Sequence, residues 1–200
     1  MRNRVIVLSG PSGSGKSRLA ARLHEAHGWP LVRLDDFYRD HDDPGLPRDE
    51  ALGIVDWDDP GSWNGAAALV ALTELVDTGR AATPVYDIST SQRVGSSEIT
   101  AARTDLIVAE GIFAAELIEP LRRAGLLHSA WCVVHRHRAL TFLWRLTRDL
   151  KEHRKPPHIL VRRGWTLLRD EPALIRRQVA LGSTCATAAT VAAAVESTRP

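Results

Sequence analysis

The chain has 200 residues, 44% hydrophobic and 25% charged, with a formal net charge of +2. That length fits one domain with a sizeable core, and the near-neutral charge makes nucleic acid an unlikely partner on bulk electrostatics. No apolar run is long enough to span a bilayer, no leader pattern opens the chain, and Cys132 and Cys185 belong to no CxxC pair, so neither a zinc site nor a disulfide framework is expected. A reducing, cytoplasmic setting is the simplest expectation.

The elements follow in chain order. Val5-Ile6-Val7-Leu8 reads as a strand buried on both faces, ending at Ser9-Gly10. A glycine-rich turn leads into a helix over Lys16 to His27, with Leu19, Ala20 and Leu23 on its apolar face. Leu31 to Leu34 is a second strand. Asp35 to Asn64 is rich in Asp, Pro and Gly and reads as a long functional loop with short helical turns. Ala66 to Thr78 is a helix with Leu69, Leu72, Leu75 and Val76 as its stripe. Pro84 to Ile88, a turn near Arg93 to Ser97 and a short return suggest a hairpin. Leu106 to Ala109 is a buried strand, Ala114 to Ala124 a helix, and Ala130 to Val134 a strand holding a buried Cys132. Ala139 to His153 is a helix before the breaker Lys155-Pro156-Pro157, and Ala186 to Val195 a short terminal helix. This alternation predicts an α/β fold, a three-layer sandwich with a mostly parallel sheet and helices on both faces.

Gly10-Pro11-Ser12-Gly13-Ser14-Gly15-Lys16-Ser17 fits G-x-x-x-x-G-K-[ST] at every fixed position. A loop that wraps a triphosphate must bring its backbone N–H groups close to anionic oxygens, which side chains at Gly10, Gly13 and Gly15 would obstruct. The helix beginning near Lys16 aims its positive end at the same phosphates. Lys16 supplies charge toward the β- and γ-phosphates and Ser17 a hydroxyl for Mg²⁺. A chance glycine turn is the alternative, and its place between a buried strand and a helix argues against it. The motif specifies a nucleoside triphosphate without separating kinase, ATPase and switch.

Glu110 ends the strand Leu106 to Ala109, where ligands of open parallel sheets collect. It is the best placed acid to hold Mg²⁺, unless it is an ordinary solvated strand-end residue. Asp35 and Asp36 follow the second strand. A carboxylate there could take the proton of an attacking hydroxyl, or could cap a helix. Acid is dense between Asp35 and Asp59, and base between Arg136 and Arg163, then at Arg176 and Arg177. A basic run is usually a solvated face. His24, His27, His41, His128, His135 and His137 have no ligand-like spacing and read as surface residues. Trp57, Trp63, Trp144 and Trp165 are expected in the core more than in a ligand pocket.

Taken together, the P-loop, Asp35-Asp36-Phe37-Tyr38-Arg39, Asp56-Trp57-Asp58-Asp59-Pro60, Pro84-Val85-Tyr86-Asp87 with Arg93, and Ala109-Glu110-Gly111-Ile112 resemble the uridine kinase branch of the uridine kinase and phosphoribulokinase group. Order and approximate spacing agree from Val5 to about Lys155. The resemblance implies one kinase domain of the P-loop NTPase type, with acceptor-binding insertions at about 35–64 and 84–99 and a helical lid at about 138–158. It implies ATP and Mg²⁺ as cofactors and a nucleoside as the small-molecule acceptor, phosphorylated at its 5′-hydroxyl. Gly10, Ser12, Gly13, Ser14, Gly15, Lys16, Ser17 and Arg145 would bind the nucleotide, and Ser17 and Glu110 the metal. Asp35 would be the general base, with Lys16 and Arg148 assisting transfer. Asp35, Tyr38, Asp58, Tyr86, Arg93 and Arg145 would meet the acceptor. Arg145 and Arg148, at i and i+3, share a helix face; a solvated lid helix is the alternative. The chain departs from the group at Ser91, where a base-reading His is usual, at His153 and Lys155, which stand for later lid arginines, and after Pro156. A kinase for another small hydroxylated metabolite, and a nucleotide-dependent switch without an acceptor, remain open. So does a homo-oligomer.

Overall fold

The computed structural model describes residues 4–49, 54–135 and 171–197. Strand β1, Val5–Ser9, is buried along its whole length. It lies in a five-stranded sheet with β2 (Leu31–Arg33), β3 (Ile107–Glu110), β4 (Leu127–Val133) and β5 (Thr184–Ala186). The order is β2-β3-β1-β4-β5, and every pairing is parallel. Side chains alternate along β1, so Val5 and Val7 enter one apolar cluster while Ile6 and Leu8 enter another. Helices cover both faces: α1 (Lys16–His27) with the terminal helix Ala188–Ser197 on one, α2 (Gly65–Thr78) and α3 (Ile118–Arg123) on the other. This is the three-layer α/β sandwich that the alternating pattern predicts.

Local chemistry sets the boundaries. Helix α1 ends on Gly28 in the left-handed region, whose N–H donates to the His24 carbonyl. Helix α2 is capped by Asn64, whose side chain accepts from the Ala67 N–H at 3.0 Å. Its buried stripe is Ala68, Ala71, Leu72 and Leu75, with Leu69 and Val76 at the margin.

Three expectations need correction. The hairpin is real, but its strands run Arg80–Asp87 and Gln92–Thr100, and the turn is at 88–91. The Asp87 carboxylate accepts from the N–H and hydroxyl of Ser89, and Ser91 adopts φ 52, so the chain reverses before Arg93. The Gly-Ser-Ser stretch at 95–97 is exposed strand. Near the C-terminus, Ala186 belongs to β5, and the helix starts only at Ala188. Finally, His27, stacked on Trp29 at 4.3 Å, and His128 are half-buried. Burial holds the His128 pKa below its usual value. The expected helix Ala139 to His153, the lid, Arg145, Arg148, Trp144 and Trp165 lie outside the described residues. Among those described, no helix is long and apolar enough to cross a membrane.

Candidate active site

The loop 10–15 joins the carboxyl end of β1 to α1, and Gly10, Gly13 and Gly15 all have φ between 82° and 142°. The glycines do different work. A Cβ on Gly10 would overlap the Val133 carbonyl, so this position lacks space as well as an L-residue dihedral. A Cβ on Gly15 would meet nothing within 4 Å. There the requirement is the left-handed turn that starts α1. Helix α1 has no side-chain cap and no acid in its first turn, leaving its first N–H groups to an external acceptor. The Ser14 hydroxyl is buried without a hydrogen-bond partner. An orphaned donor, uncapped amides and a cationic Lys16 only 6% exposed fit an anion in the loop.

Beside the loop, the Ser17 hydroxyl donates to Glu110 Oε2 at 3.0 Å. The two residues expected to hold a metal therefore touch. Glu110 is 5% exposed. Its pKa is raised above the usual carboxylate value, first by burial, against which Lys16 pulls down, while the charge of Asp35 adds to the rise. Lys16, Ser17, Glu110 and Asp35 thus share one electrostatic neighbourhood. Among the described residues no three His, Cys, Asp or Glu cluster as a metal cage. A divalent cation at Ser17 and Glu110 would complete its shell with water and phosphate oxygens, as Mg²⁺ commonly does.

Asp35 sits in a 3₁₀ turn, Leu34–Phe37, directly after β2. The helix-cap alternative fails: Arg33 is the N-cap, and no side chain caps the turn. Asp35 Oδ1 instead accepts from the Ile112 N–H at 2.9 Å, across from the end of β3. Register explains the meeting, since Arg33 pairs with Glu110 and the two chains leave the sheet side by side. Gly111 makes room, because a Cβ there would stand 2.7 Å from Asp35 Oδ1. Asp36 points elsewhere, within 3.7 Å of Arg33, and burial raises its pKa against that arginine's pull.

Tyr38 packs at ring-centroid distances of 5.9 Å from Trp57, 6.0 Å from Tyr86 and 5.9 Å from Phe113. Its hydroxyl donates to the Trp57 carbonyl at 3.3 Å. The Tyr86 hydroxyl donates to the Arg39 carbonyl at 3.0 Å, and burial pushes its pKa up to about 12. The neighbouring Ser91 side chain pulls that pKa partly back down. The hairpin tip is latched to the Tyr38 loop twice more, by His41 N–H to the Ser91 carbonyl at 2.9 Å and Arg93 N–H to Asp40 Oδ1 at 2.6 Å. Between them lies a cavity of about 150 Å³ bounded by Tyr38, Arg39, Asp40, Asp43, Asn64 and Arg93. Of the expected acceptor residues, Tyr38 and Arg93 line it, and Tyr86 packs against Tyr38 without lining it. Asp58 is exposed on a turn in which its N–H donates to Asp56 Oδ1 at 3.0 Å, and it does not line the cavity. Trp63 is core, its Nε1 donating to the Leu34 carbonyl at 2.7 Å. Sequence reasoning missed Arg39 and Asp40 as cavity residues and Gly111 as the spacer for Asp35; the first two immediately follow the Asp-Asp-Phe-Tyr box, and Gly111 follows Glu110.

Fold and loop together define a nucleotide-binding protein of the P-loop α/β class. An AAA domain family matches residues 5–83. The chain is also similar to uridine kinase of Saccharomyces cerevisiae, at 32% identity over 116 residues. That match takes in 55% of this chain and 22% of the yeast protein. The resemblance to the uridine kinase group drawn from the motifs is thereby upheld. Among solved structures, a Silicibacter sp. TM1040 protein named for a fructose transport system kinase aligns with a TM-score of 0.61 at 20% identity, covering 87% of this chain and 85% of that one. D-glycerate 3-kinase from Cryptococcus neoformans var. grubii serotype A aligns with a TM-score of 0.56 at 16% identity, covering 85% and 77%. Likeness at that identity carries the fold.

Proposed function

We propose that this protein is an ATP- and Mg²⁺-dependent kinase that transfers the γ-phosphoryl group to the 5′-hydroxyl of a nucleoside. The observation that carries the reading is the placement of the Asp35 carboxylate, fixed by the Ile112 N–H, in the same charged neighbourhood as Lys16, Ser17 and Glu110. Phosphoryl transfer asks for positioned charge and an oriented acceptor more than for covalent chemistry. The amides of the glycine loop and Lys16 grip the nucleotide tail. Ser17 and Glu110 would hold Mg²⁺, which neutralises charge on the phosphates. With Oδ1 engaged, Asp35 Oδ2 is left to orient the acceptor hydroxyl and take its proton. Tyr38, Tyr86 and Trp57 offer rings for a nucleobase to lie against, with Arg93 as a polar contact from the cavity wall.

A second reading rests on the cavity itself. Arg39, Asp40, Asp43, Asn64 and Arg93 make its wall polar, and Ser91 offers a hydroxyl, beside Tyr86, where a nucleobase reader would present a ring. That favours a smaller hydroxylated metabolite as acceptor. A panel of nucleosides, sugars and hydroxy acids with ATP and Mg²⁺, scored by product mass, tests both. A nucleoside 5′-monophosphate supports the first and another phosphate ester the second. ATP loss indifferent to every acceptor would remove the kinase reading altogether.

A further inference from the structure

Cys132 and Cys185 lie 53 positions apart in the sequence and match no motif. The fold makes them Cα partners on the adjacent parallel strands β4 and β5, between the pairs Trp131–Thr184 and Val133–Ala186. Neighbouring strands lie about 4.8 Å apart, inside the roughly 4.4–6.8 Å Cα separation that a disulfide spans. In-register residues on adjacent strands project to the same face, and Cys185 is close enough to help raise the pKa of the Cys132 thiol.

Their surroundings differ. Cys132 is buried, and its thiol donates to Gln178 Oε1 at 3.1 Å. Burial pushes its pKa up to about 12, so little of it is thiolate at neutral pH. Cys185 is exposed on the edge strand of the sheet, where a dissolved oxidant can reach it. Phosphoryl transfer makes no use of either thiol.

We infer that Cys132 and Cys185 form a redox modification site, a pair of thiols that closes reversibly into an intrachain disulfide when the protein meets hydrogen peroxide. The steps balance. The Cys185 sulfur attacks the peroxide, the O–O bond breaks, and a sulfenic acid and one water result. The Cys132 sulfur then bonds to the Cys185 sulfur, the S–O bond breaks, and the departing hydroxide leaves with the Cys132 proton as a second water. Two thiols lose two electrons, and one peroxide gains them. A thiol reductant reverses the reaction by exchange. The pair stands close to the nucleotide loop: Cys132 is also the ladder partner of Ser9, the residue before Gly10.

The test uses the full reduced chain with hydrogen peroxide, followed by thiol titration after unfolding and peptide mapping by mass spectrometry. The expected result is loss of both titratable thiols, loss of two hydrogens from the intact mass, one linked peptide pair joining Cys132 to Cys185, and full recovery with dithiothreitol. Cys185→Ser, at an exposed position, is expected to keep its remaining thiol under the same treatment. Cys132→Ser is expected to leave Cys185 to advance to sulfinic acid. Should that buried substitution fail to fold, the wild-type map decides alone. Peroxide that carries Cys185 to higher acids, or into linked dimers, while Cys132 still titrates would overturn the inference.

Discussion

Gly111→Ala probes the spacing on which Asp35 depends. Gly111 does not use the left-handed region, so the backbone accepts alanine. The difficulty is space: the new Cβ would stand 2.7 Å from Asp35 Oδ1, 2.9 Å from Leu34 Cβ and 3.3 Å from the Asp35 nitrogen. All three atoms belong to the turn that presents the carboxylate, and Leu34 is fully buried, so the turn must shift. Overpacking of this kind costs about 1–3 kcal/mol. For a chain of this size that lowers Tm by roughly 2–12 °C. A catalytic group misplaced by about 1 Å loses about 100-fold in rate, equivalent to about 2.7 kcal/mol of barrier. Acceptor-dependent turnover should therefore fall about 100-fold, while ATP affinity measured by titration calorimetry stays near wild type. Gly125→Ala is the control. Its φ of +67° makes alanine strained, with nothing within 4 Å of the new Cβ, so it should lose similar stability without the rate effect. Turnover of Gly111→Ala within about threefold of wild type, in a protein that binds ATP, would refute the spacing argument.

Glu110→Gln should separate stability from activity. Because burial raises the folded-state pKa of Glu110, its contribution to stability is fully present below the ordinary glutamate value of about 4.5 and is lost as pH rises through the folded pKa. The glutamine variant, without ligand, should thus have a higher Tm than wild type at pH 7, with the gap closing as pH falls toward that range; Mg²⁺-dependent activity should drop about 10–100-fold. Equal melting curves at every pH would contradict the buried-charge reading. Asp40→Ala removes the acceptor of the Arg93 N–H at the hairpin latch. Losing about 1 kcal/mol there should raise the acceptor KM roughly fivefold with kcat unchanged, as steady-state kinetics would reveal.

What the sequence made legible was what neighbouring residues decide. The nucleotide loop is contiguous, so its glycines, Lys16 and Ser17 could be assigned from spacing, and the structure adds only why each glycine is needed. Glu110 and Asp35 could be found because both end apolar strands. Their proximity could not, since it follows from β2 pairing with β3 across more than seventy residues. The 88–91 turn was hidden by a more conspicuous Gly-Ser-Ser run that the sheet holds extended. Strand β5 is three residues long and abuts an alanine-rich helix, so periodicity had nothing to detect. The latch of Asp40, His41 and Ser91 and the facing cysteines are tertiary pairings of residues unremarkable in themselves. The acceptor is the least legible part, because a cavity wall is assembled from separate elements and no single motif describes it.

Asp35→Asn is the most direct measurement. The amide preserves shape and can still accept the Ile112 hydrogen bond, but it cannot take a proton. ATP affinity and acceptor-dependent transfer should be measured on the same preparation, with the acceptor that the panel identifies. ATP binding close to wild type with transfer reduced about 10²–10⁴-fold is expected of a lost general base. Transfer at the wild-type rate would contradict the role given to this carboxylate.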